Sequence, residues 1–148
     1  MVIRTINNNE QERLTAFLKE MDSAFPIPLS TKVDIGTYSY KVLSKGIVLC
    51  NESSGKITGV LLGYANDVLT KSAYISTLVI LEEYRNSGLG SLLISHMKWF
   101  CRNRGMNTLS VFVHKCNKNA IRFYQQNGFI ISDLALERGD DILMKIQL

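Results

Sequence analysis

Apolar positions recur along the chain in two periods, and the switches between them mark out its elements. Val2 to Ile6 alternates as a short strand. Asn7 and Glu10 then stand at the spacing of a capping box, in which each side chain takes up an otherwise orphan backbone N–H. Leu14, Phe17, Leu18 and Met21 follow on one helical face. Phe25-Pro26-Ile27-Pro28 must be extended, because each proline restricts the residue before it. Ser30 is expected to cap a second helix running to about Lys45, with Gly36 weakening it from inside.

Gly46–Asn51 and Lys56–Ala65 read as strands joined by the turn Glu52-Ser53-Ser54-Gly55, and Ser72–Leu81 as a third after a polar turn around Asn66-Asp67. A long helix is predicted from Gly88 to Arg104, with Leu89, Leu92, Leu93, Met97, Phe100 and Cys101 as its stripe. Arg102 and Arg104 suit its C-terminal dipole, and Gly105 ends it. His96 falls on or near that stripe and reads as a packed core residue. Asn107–His114 alternates as a strand, Asn117 caps a short helix through Asn127, and Gly128 closes it. Phe129–Ser132 and Asp141–Gln147 supply two last strands. The order β-α-α-β-β-β-α-β-α-β-β implies an α/β (α+β) fold. Its sheet would be mixed and mostly antiparallel, of about seven strands flanked by four helices.

Composition narrows the class. The 148 residues hold no repeat or linker, so one domain over 1–148 is expected. At 46% hydrophobic and 20% charged, the chain is neither disordered nor fibrous. No apolar run reaches the roughly 18 residues of a membrane span, so no membrane partner is expected. Met1 to Glu10 has no secretory pattern. Three cysteines at unrelated spacings, Cys50, Cys101 and Cys116, fit a reduced cytoplasmic setting. Without a CxxC or paired His/Cys motif, no metal is expected.

Charge changes the picture further. The net +4 is carried by the second half of the chain, and between Arg85 and Ser132 seven basic residues occur without one acid. That asymmetry points to an anionic partner, against the alternative of a chance gap on solvated helices. Nucleic acid is not expected, for the chain has no basic run, helix-turn-helix or exposed aromatic series.

Chemistry concentrates where the Ser72–Leu81 strand meets the long helix. Arg85-Asn86-Ser87-Gly88-Leu89-Gly90 puts glycines where backbone enters a helix, so that N–H groups and the helix dipole can face an anion. A dinucleotide fingerprint would want a small residue at Leu93, and a Walker loop would want Ser or Thr where Ile57 follows Gly55-Lys56. The other reading of these glycines is a turn that merely starts a helix.

Arg85-x-x-Gly88-x-Gly90 resembles the pyrophosphate motif of the GCN5-related N-acetyltransferases (GNAT). Asn117-x-x-Ala120-x-x-Phe123-Tyr124-x-x-x-Gly128-Phe129 is similar to that family's second motif, and the element order is GNAT-like throughout. The resemblance implies acetyl-CoA as co-substrate. Backbone groups of Leu78, Val79 and Ile80 would pair with the pantetheine arm, the Ile80 N–H facing the thioester carbonyl. The N–H groups of Asn86, Ser87, Gly88, Leu89, Gly90 and Ser91, beside Arg85, would hold the pyrophosphate. Asn117 would orient the arm, and Tyr124 would stand near the sulfur to protonate the departing thiolate.

The chain departs from the family pattern where Glu82 and Asn86 replace a common Pro and Gly, and at Phe112. Members acting on protein N-termini often carry a catalytic Glu at the Phe112 position, and a phenyl ring accepts no proton. His114, Glu82, Glu83 and Tyr74 remain as candidates to relay the amine's proton, His114 titrating in the useful range. The acceptor would lie between the first two helices, along Phe25–Leu29 and the Tyr38/Tyr40 pair. The implied activity is transfer of acetyl from acetyl-CoA to a primary amine of a small molecule, amino sugar or peptide, by direct attack in a ternary complex. The alternative is a non-catalytic acyl-CoA-binding sensor or assembly module. A homodimer is left open.

Overall fold

The computed structural model describes residues 1–132 and 139–148. Its strands are β1 Ile3–Thr5, β2 Ile47–Ser53, β3 Lys56–Asp67, β4 Ser72–Ile80, β5 Thr108–His114, β6 Ile130–Ile131 and β7 Asp141–Gln147. Its helices are α1 Gln11–Glu20, α2 Ile35–Lys45, α3 Leu89–Asn103 and α4 Lys118–Gln126. The strands form one sheet in the order β1-β2-β3-β4-β5-β7-β6. All neighbours are antiparallel except β4 and β5, which α3 connects as a crossover. The element order and the mixed, mostly antiparallel sheet are those the periodicity predicts.

Capping chemistry sets the helix starts. The Glu10 carboxylate accepts the Asn7 N–H at 2.9 Å, and a 3₁₀ turn over Asn8–Glu10 leads into α1. The expectation for Ser30 is corrected. Asp34 caps α2, accepting the Thr37 N–H at 2.9 Å and its hydroxyl at 2.8 Å. Ser30 instead gives its N–H to Asp22 at 2.9 Å, pinning a 3₁₀ turn over Leu29–Thr31. Gly36 therefore falls in the first turn of α2, where it weakens the helix little.

On α3 the buried stripe is Leu89, Leu93, Ile94, Met97 and Cys101, with Leu92 and Phe100 at its margins. His96 is corrected as well. Seven residues on from Leu89, it falls between the marginal Leu92 and Phe100 and away from Met97, so it sits half-buried with Nδ1 3.0 Å from the Leu92 carbonyl.

The sheet separates two apolar clusters. Leu61, Ala73, Ile75, Leu109 and Val111 pack with α3 and Tyr124 of α4, whereas Val60, Leu62, Val79 and Leu81 pack with α1 and α2. The odd-numbered residues of β4 contribute to both because its register slips: Thr77 faces Leu62 but Ile75 faces Gly63, which leaves Ser76 as an extra residue. Pairing of β4 with β5 ends at that point, at Ile75 against Val111. Strand β5 stays paired with β7 as far as His114 against Asp141. The two central strands therefore splay apart beyond the bulge.

Candidate active site

The splay opens a cleft of about 380 Å³. Ile75, Ser76, Thr77 and Leu78 line it from β4, and Val111 through His114 from β5. Asn117, Ala120 and Tyr124 of α4 close its end, and Phe25, Pro26, Ile27, Leu29, Val33 and Tyr38 roof it from the segment joining α1 and α2 and from α2 itself. Leu78 of β4 thus shares one cavity with His114, Asn117 and Tyr124, more than thirty residues further along the chain. Tyr40 is 62% exposed and does not line it.

Backbone phase decides what β4 offers to this opening. The Leu81 N–H donates to the Thr58 carbonyl at 2.8 Å, so odd-numbered residues beyond the bulge turn their peptide groups to β3, and Val79 faces Val60. The backbone groups of Leu78 and Ile80 point the other way, along the edge that β5 has left. Of the three residues expected to pair with a pantetheine arm, these two have the orientation for it. Val79 has its peptide groups in the sheet. The Ile80 carbonyl accepts the Arg85 Nε–H at 3.2 Å, which fastens the following loop to the strand end.

That loop brings Arg85, Asn86, Ser87 and Gly88 to the surface ahead of α3. Asn86 and Gly88 are left-handed, with φ of 59° and 88°. Among the described residues no side chain caps α3, since Gly88 at the cap has none to offer. The N–H groups of Leu89, Gly90 and Ser91 emerge at the helix end, where partial positive charge favours an anion. Gly90 has a different reason to be glycine: a Cβ there would meet the Phe123 ring at 3.0 Å and Ile80 Cδ1 at 3.3 Å. It allows α3 to pack closely on α4.

Asn117 holds the start of α4, its Oδ1 accepting the Ala120 N–H at 3.2 Å. Tyr124, seven residues on, is buried between Phe123 and Phe129, with edge-on ring contacts at 5.2 and 5.3 Å. Burial pushes its phenol well above the ordinary range, so the hydroxyl keeps its proton at neutral pH. Tyr124 is a packed residue whose ring nonetheless borders the cleft.

The proton-relay candidates separate by position. His114 lines the cleft, with Nδ1 accepting the Cys116 N–H at 3.1 Å. With Nδ1 accepting, the ring presents Nε2–H as a donor. Glu82 and Glu83 are exposed on a 3₁₀ turn outside the cleft. Tyr74 stacks on Tyr64 at 5.1 Å and does not line it either. Sequence reasoning passed over Ser76 and Thr77, whose signal was two adjacent hydroxyls interrupting an apolar strand.

The profile of the acetyltransferase (GNAT) family matches residues 14–129, and the chain belongs to that family. A probable N-acetyltransferase named san, from Drosophila melanogaster, is 34% identical over 87 residues, covering 49% of this chain and 47% of that protein. The chain spans less than half the length of the curated relatives it matches. Among solved structures, a GNAT-family acetyltransferase from Streptococcus pneumoniae superposes with a TM-score of 0.78 at 24% identity, covering 99% of both chains. The paia N-acetyltransferase of Thermoplasma acidophilum, solved in complex with coenzyme A, gives 0.77 at 18% identity over 99% of this chain and 98% of that one. These likenesses extend the fold over the whole length. No helix among the described residues is long and apolar enough to cross a membrane.

Proposed function

We propose that the protein moves an acetyl group from acetyl-CoA to a primary amine of a small molecule, amino sugar or peptide, by direct attack with both substrates bound. The observation that carries this reading is the open β4 edge. Leu78 and Ile80 offer main-chain donors and acceptors at the cleft, in line with an uncapped helix end that suits a pyrophosphate. Acetyl-CoA supplies an activated thioester. The Ile80 N–H stabilises charge on its carbonyl oxygen as the amine attacks. Arg85 and the N–H groups from Asn86 to Ser91 hold the phosphates, and Asn117 steadies the arm at the start of α4.

Tyr124 serves the leaving sulfur as a hydrogen-bond donor. Full proton transfer would strand a phenolate among apolar rings, so the bond to sulfur, rather than complete ionisation, is its contribution. His114 adds a donor from β5. With Phe112 in the position of a carboxylate, no single carboxylate base takes the amine's proton, and water carries it out. A cytoplasmic setting belongs to the same reading, supported by three cysteines in the thiol form, of which Cys50 and Cys101 are buried.

The test is thiol release from acetyl-CoA against a panel of peptide N-termini, amino sugars and small amines. Amine-dependent release supports transfer. Acetyl-CoA binding by calorimetry without release on any amine would establish a non-catalytic acyl-CoA-binding module instead.

A further inference from the structure

The acceptor side of the cleft holds a polar cluster that the chemistry above leaves unused. Tyr38 reaches across from α2, and its phenol oxygen is hydrogen-bonded to Ser76 Oγ and, at 2.8 Å, to Thr77 Oγ1. Consecutive residues on a regular strand point to opposite faces. One phenol can reach both only because Ser76 is the extra residue of the β4 bulge. Tyr38 is half-buried, Thr77 is buried and Ser76 is exposed, and all three line the cleft.

We propose, on the strength of the transfer reading, that these three hydroxyls seat the acceptor's amino group. Each hydroxyl brings one proton and two lone pairs, so after the two internal bonds lone pairs outnumber protons. The cluster is a net acceptor. It matches a primary amine, which has N–H groups to give, and mismatches a carboxylate or phosphate, which have none. Among the described lining residues the charged side chains are Asp141, on the far, β7 side of β5, and Lys32, exposed on the roof. The cluster adjoins Leu78, where the free edge of β4 begins. An amine that donates its N–H groups to Tyr38 and Ser76 turns its lone pair along that edge, toward the thioester. Tyr38 is then a residue that binds and orients the nucleophile.

The experiment uses the full chain with the best amine of the panel and compares Tyr38→Phe, which keeps the ring and removes the oxygen, with Thr77→Val. Tyr38→Phe is expected to lower kcat/KM for the amine about 10–100-fold, chiefly through KM. Acetyl-CoA affinity by calorimetry and the melting temperature should stay close to wild type. Thr77→Val should give a smaller loss, and the double variant less than the product of the two, because the groups act as one cluster. Should Tyr38→Phe fail to fold, Ser76→Ala at its exposed position carries the same comparison. An active wild type with an indifferent Tyr38→Phe would overturn the proposal alone, leaving the cluster as a tie between α2 and β4. Parallel falls in melting temperature and acetyl-CoA affinity would overturn it in the same way. A wild type that binds acetyl-CoA but accepts no amine removes the transfer reading, and this proposal with it.

Discussion

On the proposed function, the two sides of the cleft recognise their ligands by different means. The side formed by β4, the Arg85–Ser91 loop and α4 works through main-chain groups fixed by regular elements: the open edge at Leu78 and Ile80, the uncapped start of α3, and the Asn117 cap. The side formed by Phe25–Val33 and Tyr38 works through side chains, carried on a proline-restricted stretch, a 3₁₀ turn and α2, with Ser76 and Thr77 of β4 bonded to Tyr38. Main-chain recognition demands particular backbone shapes and so leaves glycines and caps in the sequence. Side-chain recognition leaves only a composition that any core could share. One side is suited to an invariant ligand, and the other can be retuned by substitution without disturbing the sheet.

Five variants sharpen that contrast. Tyr124→Phe should lower kcat about 10²-fold, with acetyl-CoA affinity and melting temperature nearly unchanged, as single-turnover kinetics and calorimetry would register. A near wild-type kcat with chemistry rate-limiting would reduce Tyr124 to packing. Gly90→Val should weaken acetyl-CoA binding about 10–100-fold and lower stability as well, since its side chain meets Phe123 before any ligand. Gly88→Ala is the cleaner probe, because a Cβ there contacts nothing in the protein although φ is 88°. If Gly88→Ala binds acetyl-CoA as tightly as wild type once its stability loss of about 1–2 kcal/mol is accounted for, the loop is not the phosphate site.

On the other side, Ile27→Ala removes a 40% exposed residue of the cleft roof. It should change the order of preference among amines by roughly 3–10-fold and leave acetyl-CoA affinity alone. Loss of acetyl-CoA binding in that variant would erase the distinction between the two sides.

The smallest effect lies in the ion pairs that join β1 and α1 to β2. Arg4 and Arg13 both bridge Glu10 and Glu52, and hydrogen bonding to Arg4 holds the Glu10 carboxyl at about 2. A depressed carboxylate stabilises the fold fully above its unfolded value near 4.5 and loses that contribution as pH falls through about 2. The melting temperature should therefore decline as pH drops from about 5 toward 2. Glu10→Gln should flatten that part of the curve, and an unaltered slope would show the bridges to be inert.

Sequence legibility followed the same division. Element order, the α3 stripe and the α4 cap were readable because periodicity and capping are local. The start of α2 was misread because Ser30 and Asp34 are both competent caps, and the choice rests on Asp22, which draws Ser30 away. On β4 itself the bulge at Ser76 carries no glycine or proline; the glycine at this point, Gly63, lies on the facing strand β3. The bulge arises because β4 must pair with β3 along its length while leaving β5 halfway, a tertiary demand. Tyr38 was placed near the acceptor only as an aromatic wall, for its two hydroxyl partners become neighbours only once the bulge has formed. Glu82 and Glu83 looked eligible as bases by type, and only the turn that carries them outward removes them.

The bulge also bears on how the protein comes apart. On an unbroken strand Ala73, Ile75, Val79 and Leu81 would all enter one apolar layer. With one residue added, the first two are buried beneath α3 and the last two beneath α1 and α2. A single strand is thereby threaded through both layers, like a stitch joining two cloths. Strands β2 and β3 already reach both layers by plain alternation, Leu49 and Leu61 on one face and Val48 and Val60 on the other. The extra residue adds the odd-numbered positions of β4 to that joint, so opening of either layer withdraws side chains on strands common to both.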